Sequence, residues 1–186
     1  MTMAPPLRKL ALTTHVVSSV GWLGAVAVFL GLSIAGMTSQ NPETVRAAYL
    51  AMESIGLFVL VPFSIASLIT GLVQSLGTKW GLFRNYWVLA KLLINLVASL
   101  ILLMYTQTLA ALAEIASTNA DLGLLRSPSP VLHAVGGLVL LLAAAALSVY
   151  KPRGMTRYGW RKQQEQRQAA QAARRTPARV TQEAAR

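Results

Sequence analysis

Residues 87–112 read WVLAKLLINLVASLILLMYTQTLAAL, an apolar stretch whose only charged side chain is Lys91. A helix needs about 20 apolar residues to cross a bilayer, because each residue adds about 1.5 Å and the hydrocarbon core is about 30 Å thick. The length of this stretch and its lack of charge therefore predict a membrane-spanning α-helix.

The sequence contains four apolar segments of this length, at roughly residues 10–37, 54–76, 87–112 and 131–150. The whole chain of 186 residues is 54% apolar and 12% charged, and its mean hydropathy is +0.51. A soluble domain of this size is less apolar. We predict an all-α membrane protein, a four-transmembrane-helix bundle. The first segment follows Arg8 and Lys9 as a signal peptide would, but it is too long for one, so we expect it to be retained.

Local signals set the expected ends of the helices. Asn41, Pro42 and Glu43 are typical of an N-cap, a first helical residue and a first turn, so the second helix is predicted to begin at residue 42. The predicted domains are a cytoplasmic N-terminus of residues 1–9, a four-helix transmembrane domain of residues 10–150, and a basic cytoplasmic tail of residues 151–186, partly disordered. The helices within the transmembrane domain are expected at about 10–37, 42–76, 85–117 and 129–150.

Basic residues indicate the orientation. They concentrate before the first helix, in the loop between the second and third helices, which carries Lys79 and Arg84, and in the tail. The positive-inside rule then predicts that both termini are cytoplasmic. The net charge of +11 comes mostly from the tail. Beside a membrane, such a charge attracts anionic lipid headgroups. No aromatic residue follows Trp160, which argues against stacking on nucleic acid, so no nucleic-acid partner is expected.

Several function classes are disfavoured by what the sequence lacks. There is no cysteine, so disulfides and thiolate metal ligands are excluded. The chain has no phosphate-cradling glycine loop, no His-Glu-x-x-His helix, no serine nucleophile elbow and no acidic pair within an apolar segment. Hydrolysis and phosphoryl transfer are therefore disfavoured.

Two ionisable side chains lie inside apolar segments at similar predicted depth. His15 is about five residues into the first helix and Lys91 about four into the third, which places both about 6 to 8 Å below the cytoplasmic interface. An ionisable group in the hydrocarbon layer costs at least about 2.5 kcal/mol unless it is paired or reaches the interface. We therefore expect His15 and Lys91 to share a site.

Polar residues at helical spacing extend this expected site over three helices. One face of each of these helices is expected to turn toward the bundle interior. The residues are His15, Ser18, Ser19 and Trp22 on the first helix, Ser67, Thr70 and Gln74 on the second, and Trp87, Lys91, Asn95 and Ser99 on the third.

His133 is expected elsewhere. The fourth helix enters from the opposite side of the membrane, so His133 should lie about 15 to 20 Å from the depth of His15 across a core of about 30 Å. That separation argues against both imidazoles ligating one haem iron. The alternative for His133 is an interfacial histidine bonded to a backbone carbonyl or to water.

Two short motifs resemble a known family. His15, followed after six residues by Trp22-Leu23-Gly24, and Trp87, followed after three residues by Lys91-Leu92, resemble HemJ-type membrane protoporphyrinogen oxidases. The first half of the chain also resembles CopD-like copper-resistance membrane proteins. The tail junction, residues 148–154 (SVYKPRG), is similar to that of an uncharacterised family of small bacterial predicted integral membrane proteins. The last resemblance spans nearly the whole chain, carries no activity, and implies the bacterial cytoplasmic (inner) membrane.

The HemJ resemblance implies a haem b site and membrane redox chemistry on a porphyrin or quinone. By this resemblance His15 is an axial ligand of the haem iron, and Lys91 is a second ligand or a partner of a propionate. Arg84 could serve a propionate from the adjoining loop. Trp22 and Asn95 complete the expected cofactor-binding residues. The remainder of the chain does not match that enzyme type, so the enzymatic assignment stays open.

Other functions remain open from the residues alone. Lys91 could extend to the headgroups, and His15 could bond Gln74 or Asn95 in a purely structural cluster. The chain would then be a non-enzymatic scaffold or assembly protein, whose helix-2/helix-3 hairpin and basic tail contact a membrane-protein partner or a second copy. An oligomeric ion or metal transporter or channel is the third possibility. The structure around the polar face distinguishes the three functions. A flat apolar slot would indicate haem binding, a closed hydrogen-bond cluster would indicate a scaffold, and a continuous aqueous path would indicate a channel or transporter.

Overall fold

Membrane-length helices form most of the protein. The computed structural model describes residues 3–77, 82–118, 122–152 and 154–184. Within these residues the chain forms five α-helices: α1 (Pro5–Thr38), α2 (Pro42–Gly77), α3 (Tyr86–Ser117), α4 (Ser129–Tyr150) and α5 (Arg157–Ala184). The predicted all-α class is confirmed. Helices α1 to α4 are long and apolar enough to cross a membrane. The fourth of these spans includes the short 3-10 turn that precedes α4.

Helix α2 begins where its sequence predicts. The Asn41 side chain accepts a hydrogen bond from the backbone N–H of Glu43 at 2.9 Å, and Pro42 occupies the first turn. Farther along, residues Gly56–Leu60 form a π-helical turn just before Pro62. Proline lacks an N–H and its ring collides with the carbonyl four residues earlier. A π turn at this point absorbs the irregularity without ending the helix.

The core of the bundle is apolar and aromatic. Trp22, Phe29, Tyr49 and Met52 are each at most 4% exposed, and they pack with the surrounding leucines of α2 and α3. In contrast, large apolar side chains such as Phe58 cover the outer surface, as expected of helices that face lipid.

One end of the bundle, the basic end, gathers the N-terminus, the α2–α3 connection and the start of the tail. The Met3 N–H donates to the carbonyl of Gly77 at 3.2 Å, and the Thr156 N–H donates to the carbonyl of Arg84 at 3.0 Å. A Cβ at Gly159 would collide with that Arg84 carbonyl, so a glycine is needed where α5 meets the connection. The tail, expected to be partly disordered, is helical over Arg157–Ala184.

At the opposite end, arginine side chains close the helix termini. Arg126 donates to the carbonyl of Ser39 at 3.1 Å, just after α1. Arg46 donates to the carbonyls of Ala116 and Thr118 at the end of α3. The last carbonyls of a helix have no partner within it, so these contacts satisfy them and hold the two ends together.

Candidate functional site

Near the basic end, polar side chains of α1 and α2 meet between the two helices. His15 Nδ1 lies 3.0 Å from Thr70 Oγ1, and Ser19 Oγ lies 2.9 Å from Ser67 Oγ. Gln74 Nε2 donates to the carbonyl of Ala11 at 2.9 Å. We call these side chains the polar cluster: His15, Ser19, Ser67, Thr70 and Gln74. The polar faces of the first two helices, which were expected to turn toward the bundle interior, are in contact with each other here.

The hydrogen bonds of Thr70 assign the tautomer of His15. Thr70 Oγ1 lies 2.6 Å from the carbonyl oxygen of Ala66. A carbonyl oxygen only accepts hydrogen bonds, so the Thr70 hydroxyl donates its single proton to the Ala66 carbonyl. Thr70 Oγ1 must then accept the hydrogen bond from His15. His15 Nδ1 therefore carries a proton, and in the neutral imidazole Nε2 keeps an unprotonated lone pair.

Gly71 makes room for the His15 ring. A Cβ at Gly71 would lie 3.1 Å from His15 Cε1, which is closer than ordinary van der Waals contact, so the ring would have to shift by a few tenths of an ångström. The pattern of polar residues did not predict a role for this glycine. Gly71 lies among Ser67, Thr70 and Gln74 on the polar face of α2. A glycine in that position could have indicated that a ring from another helix packs against this face.

Lys91 lies at the same end of the bundle but binds different partners. Its Nζ donates to Ser148 Oγ of α4 at 3.0 Å and lies 4.8 Å from the centre of the Trp87 ring, a cation–π contact. The structure has no hydrogen bond between the side chains of Lys91 and His15, so the two residues lie at the same end of the bundle with separate partners.

The other expected site residues are dispersed. Trp22 is 3% exposed and belongs to the core, and Arg84 Nη2 donates to Gln166 of α5 at 3.0 Å. Asn95 is half-buried and makes no side-chain hydrogen bond with the described residues. One turn farther along α3, Ser99 Oγ is buried, also without a partner among them. The α3 face that carries Lys91 therefore has unused hydrogen-bonding capacity.

A cavity of about 300 Å³ lies beyond Trp22, toward the opposite end of the bundle. Its lining is almost entirely apolar and comes from α1 to α4, and it includes Trp22, Phe29, Leu60, Tyr105, His133 and Leu140 but not His15. The sequence did not indicate this cavity, because no single helix contains it.

His133 lines that cavity. Its Nδ1 lies 2.9 Å from the carbonyl oxygen of Ser129, one turn earlier in α4, so the expected bond to a backbone carbonyl is confirmed. The ring stacks on Tyr105 with 3.8 Å between centroids and 18° between planes. Because the Ser129 carbonyl only accepts, Nδ1 carries a proton, and in the neutral imidazole Nε2 keeps the lone pair.

Comparisons of the chain with protein-family models, with curated proteins and with solved structures found no match. Among the described residues, no group of three or more His, Asp or Glu side chains is placed to hold a metal ion. The described residues thus form a polar cluster between α1 and α2 near the basic end and a separate apolar cavity, which the exposed His133 lines.

Proposed function

We propose that the chain is an integral membrane protein that binds haem b near its basic end, with His15 as an axial ligand of the iron. The observation that carries the proposal is the hydrogen bond from His15 Nδ1 to Thr70. A metal-bound histidine almost always donates its other ring N–H to a nearby acceptor, which orients the ring and makes the ligating nitrogen more basic. His15 is arranged in this way, with Nε2 left for the metal.

The surrounding residues fit the charged edge of a haem. Its two propionates need cations near the membrane interface, and Lys91 and Arg84 both lie toward the basic end. Lys91 is positioned by Ser148 and Trp87. Arg84 reaches its position from the α2–α3 connection. In this proposal Lys91 and Arg84 are propionate partners.

Space for the porphyrin ring is harder to provide than cations for the propionates. The cavity begins at Trp22 and does not include His15, so the ring would have to separate side chains between α1 and α3. The α3 face there carries Asn95 and Ser99, neither of which has a hydrogen-bond partner among the described residues. Bound haem b would supply one-electron redox chemistry, in keeping with a role in membrane redox reactions of a porphyrin or a quinone.

We further propose that the basic end faces the cytoplasm, in the cytoplasmic membrane of a bacterium. The support is the grouping of Arg8, Lys9, Arg84 and the tail at one end of the bundle. Cytoplasmic ends of membrane helices carry an excess of Lys and Arg. Helix α5 would then lie near anionic headgroups.

A scaffold or assembly role is the second candidate, and the closed polar cluster favours it. The Ser19–Ser67, His15–Thr70 and Gln74–Ala11 contacts join α1 to α2 without any cofactor. In that case the cluster only holds the bundle together, and the α2/α3 hairpin and α5 contact partner proteins. An ion path has less support, because the lining of the cavity is apolar.

The test is an absorption spectrum of detergent-purified protein expressed with a haem precursor, recorded oxidised and after dithionite. We expect a Soret band and reduced α and β bands in the wild type and in His133→Ala, and their loss in His15→Ala. Far-UV circular dichroism checks that both variants are folded. A colourless wild type, or equal loss in the two variants, would refute His15 ligation and leave the scaffold role.

A further inference from the structure

The cavity beyond Trp22 opens on the outer surface of the bundle. Leu132, one of its lining residues, is 65% exposed, and Gly136 beside it is exposed as well. In a membrane this surface faces lipid, so a ligand would enter from the bilayer. The volume of about 300 Å³ is at the lower end for a ligand pocket, enough for a single ring rather than a whole lipid.

The chemistry of the lining narrows the class of ligand. Trp22, Phe29 and Tyr105 offer aromatic surfaces to a flat ring. The polar group is His133, whose Nδ1 proton is used by the Ser129 carbonyl, so its Nε2 can only accept a hydrogen bond. The Tyr105 hydroxyl lies 3.2 Å from Ser129 Oγ and is already engaged. The cavity therefore suits an apolar ring that carries a hydroxyl donor.

We propose that this cavity binds the ring of a membrane quinol, with one quinol hydroxyl donating to His133 Nε2 and the isoprenoid tail leaving through the opening beside Leu132. An oxidised quinone has carbonyl acceptors in place of hydroxyls and cannot make this bond, so the site prefers the reduced form. The proposal concerns binding only. It does not depend on haem at His15, which lies outside the cavity.

Fluorescence quenching tests the proposal, because Trp22 lines the cavity. Ubiquinol with one isoprene unit, kept reduced without oxygen, is titrated into the detergent-solubilised protein. We expect a saturable quenching component that Trp22→Phe removes. Binding of the oxidised quinone and of the quinol dimethyl ether should be on the order of fivefold weaker, the effect of one lost hydrogen bond.

Three variants separate the quinol from other occupants. Gly136→Leu fills the cavity and should abolish saturation, whereas Gly24→Leu is the matched control: a Cβ meets nothing within 4 Å at either glycine, and Gly24 does not line the cavity. His133→Phe keeps a flat ring and should bind the quinol and its dimethyl ether equally.

Several outcomes would overturn the proposal. Quenching without saturation, or equal binding by the two glycine variants, would show that the ligand does not occupy the cavity. If the wild type binds the dimethyl ether as tightly as the quinol, the occupant is an ordinary apolar lipid. His15→Ala should bind the quinol as the wild type does, so failure of the haem proposal would leave this result unchanged.

Discussion

The two histidines of the chain have the same tautomer in opposite surroundings. Each donates from Nδ1 and keeps a lone pair on Nε2. His15 lies in the polar cluster, with Thr70 of another helix as its partner and Gly71 against its ring. His133 bonds a carbonyl of its own helix and lies in an apolar cavity, stacked on Tyr105. The hydrogen bond sets the proton position, whereas the packing decides what the lone pair can reach.

The two environments also differ in how they are built. The partner of His133 is four residues earlier in the chain, so a single turn of helix provides it. The partner of His15 is 55 residues away, so it depends on the docking of α1 against α2. We therefore expect the surroundings of His15 to be the more sensitive to substitution.

The largest difference is expected between two glycine variants. Gly71→Leu would place a Cβ 3.1 Å from His15 Cε1, whereas the Cβ of Gly136→Leu meets nothing within 4 Å. Replacing glycine with leucine raises the helix propensity by the same amount at both positions, so this contribution cancels when the two variants are compared. Overpacking should make Gly71→Leu less stable than Gly136→Leu by about 1 to 3 kcal/mol. The free energy of unfolding in mixed micelles measures this difference, and equal values would show that the His15 ring is not confined.

A smaller difference is expected from removing hydroxyl groups. Thr70→Val keeps the shape of the side chain but leaves the His15 Nδ1 proton without an acceptor, at a cost of about 1 kcal/mol. Ser129→Ala should cost less, because the backbone carbonyl that holds His133 remains. Nitrogen-15 NMR of the imidazole rings should show a changed tautomer population for His15 in Thr70→Val, and none for His133 in Ser129→Ala. Unchanged His15 signals would contradict the tautomer assigned through Thr70.

The smallest effect is expected in the tail, far from either imidazole. Lys162 Nζ lies 3.0 Å from Glu165 Oε2 in an exposed pair, and the hydrogen bond to this carboxylate raises the pKa of Lys162. Because the pKa is raised in the folded state, the contribution is complete below the ordinary lysine pKa and is lost as pH rises through the folded value. Glu165→Gln should reduce α5 helicity slightly at pH 7, and the difference should disappear at a pH well above the ordinary lysine pKa, as followed by circular dichroism. A large change at pH 7 would mean that the pair has a further role.

The fold was predictable because its signals are local. The apolar segments predicted the four membrane-length helices, and Asn41-Pro42-Glu43 predicted the start of α2. The spacing of polar residues also indicated which faces of α1 and α2 meet. The partner of His15 was less predictable: Gln74 and Asn95 were the expected candidates, and the structure has Thr70 instead. These residues lie within two turns of one another in depth, and hydropathy does not set depth that finely.

The sequence by itself determined the number of membrane-length helices, their approximate ends and their polar faces, because length, hydropathy and capping act along a single helix. Only the tertiary structure decided that Lys91 bonds Ser148, that Gly71 receives the His15 ring, and that a cavity separates Trp22 from His133. Each of these depends on the rotation and depth of one helix against another. A rotation of one residue, about 100°, would exchange these contacts without changing the periodicity of the sequence.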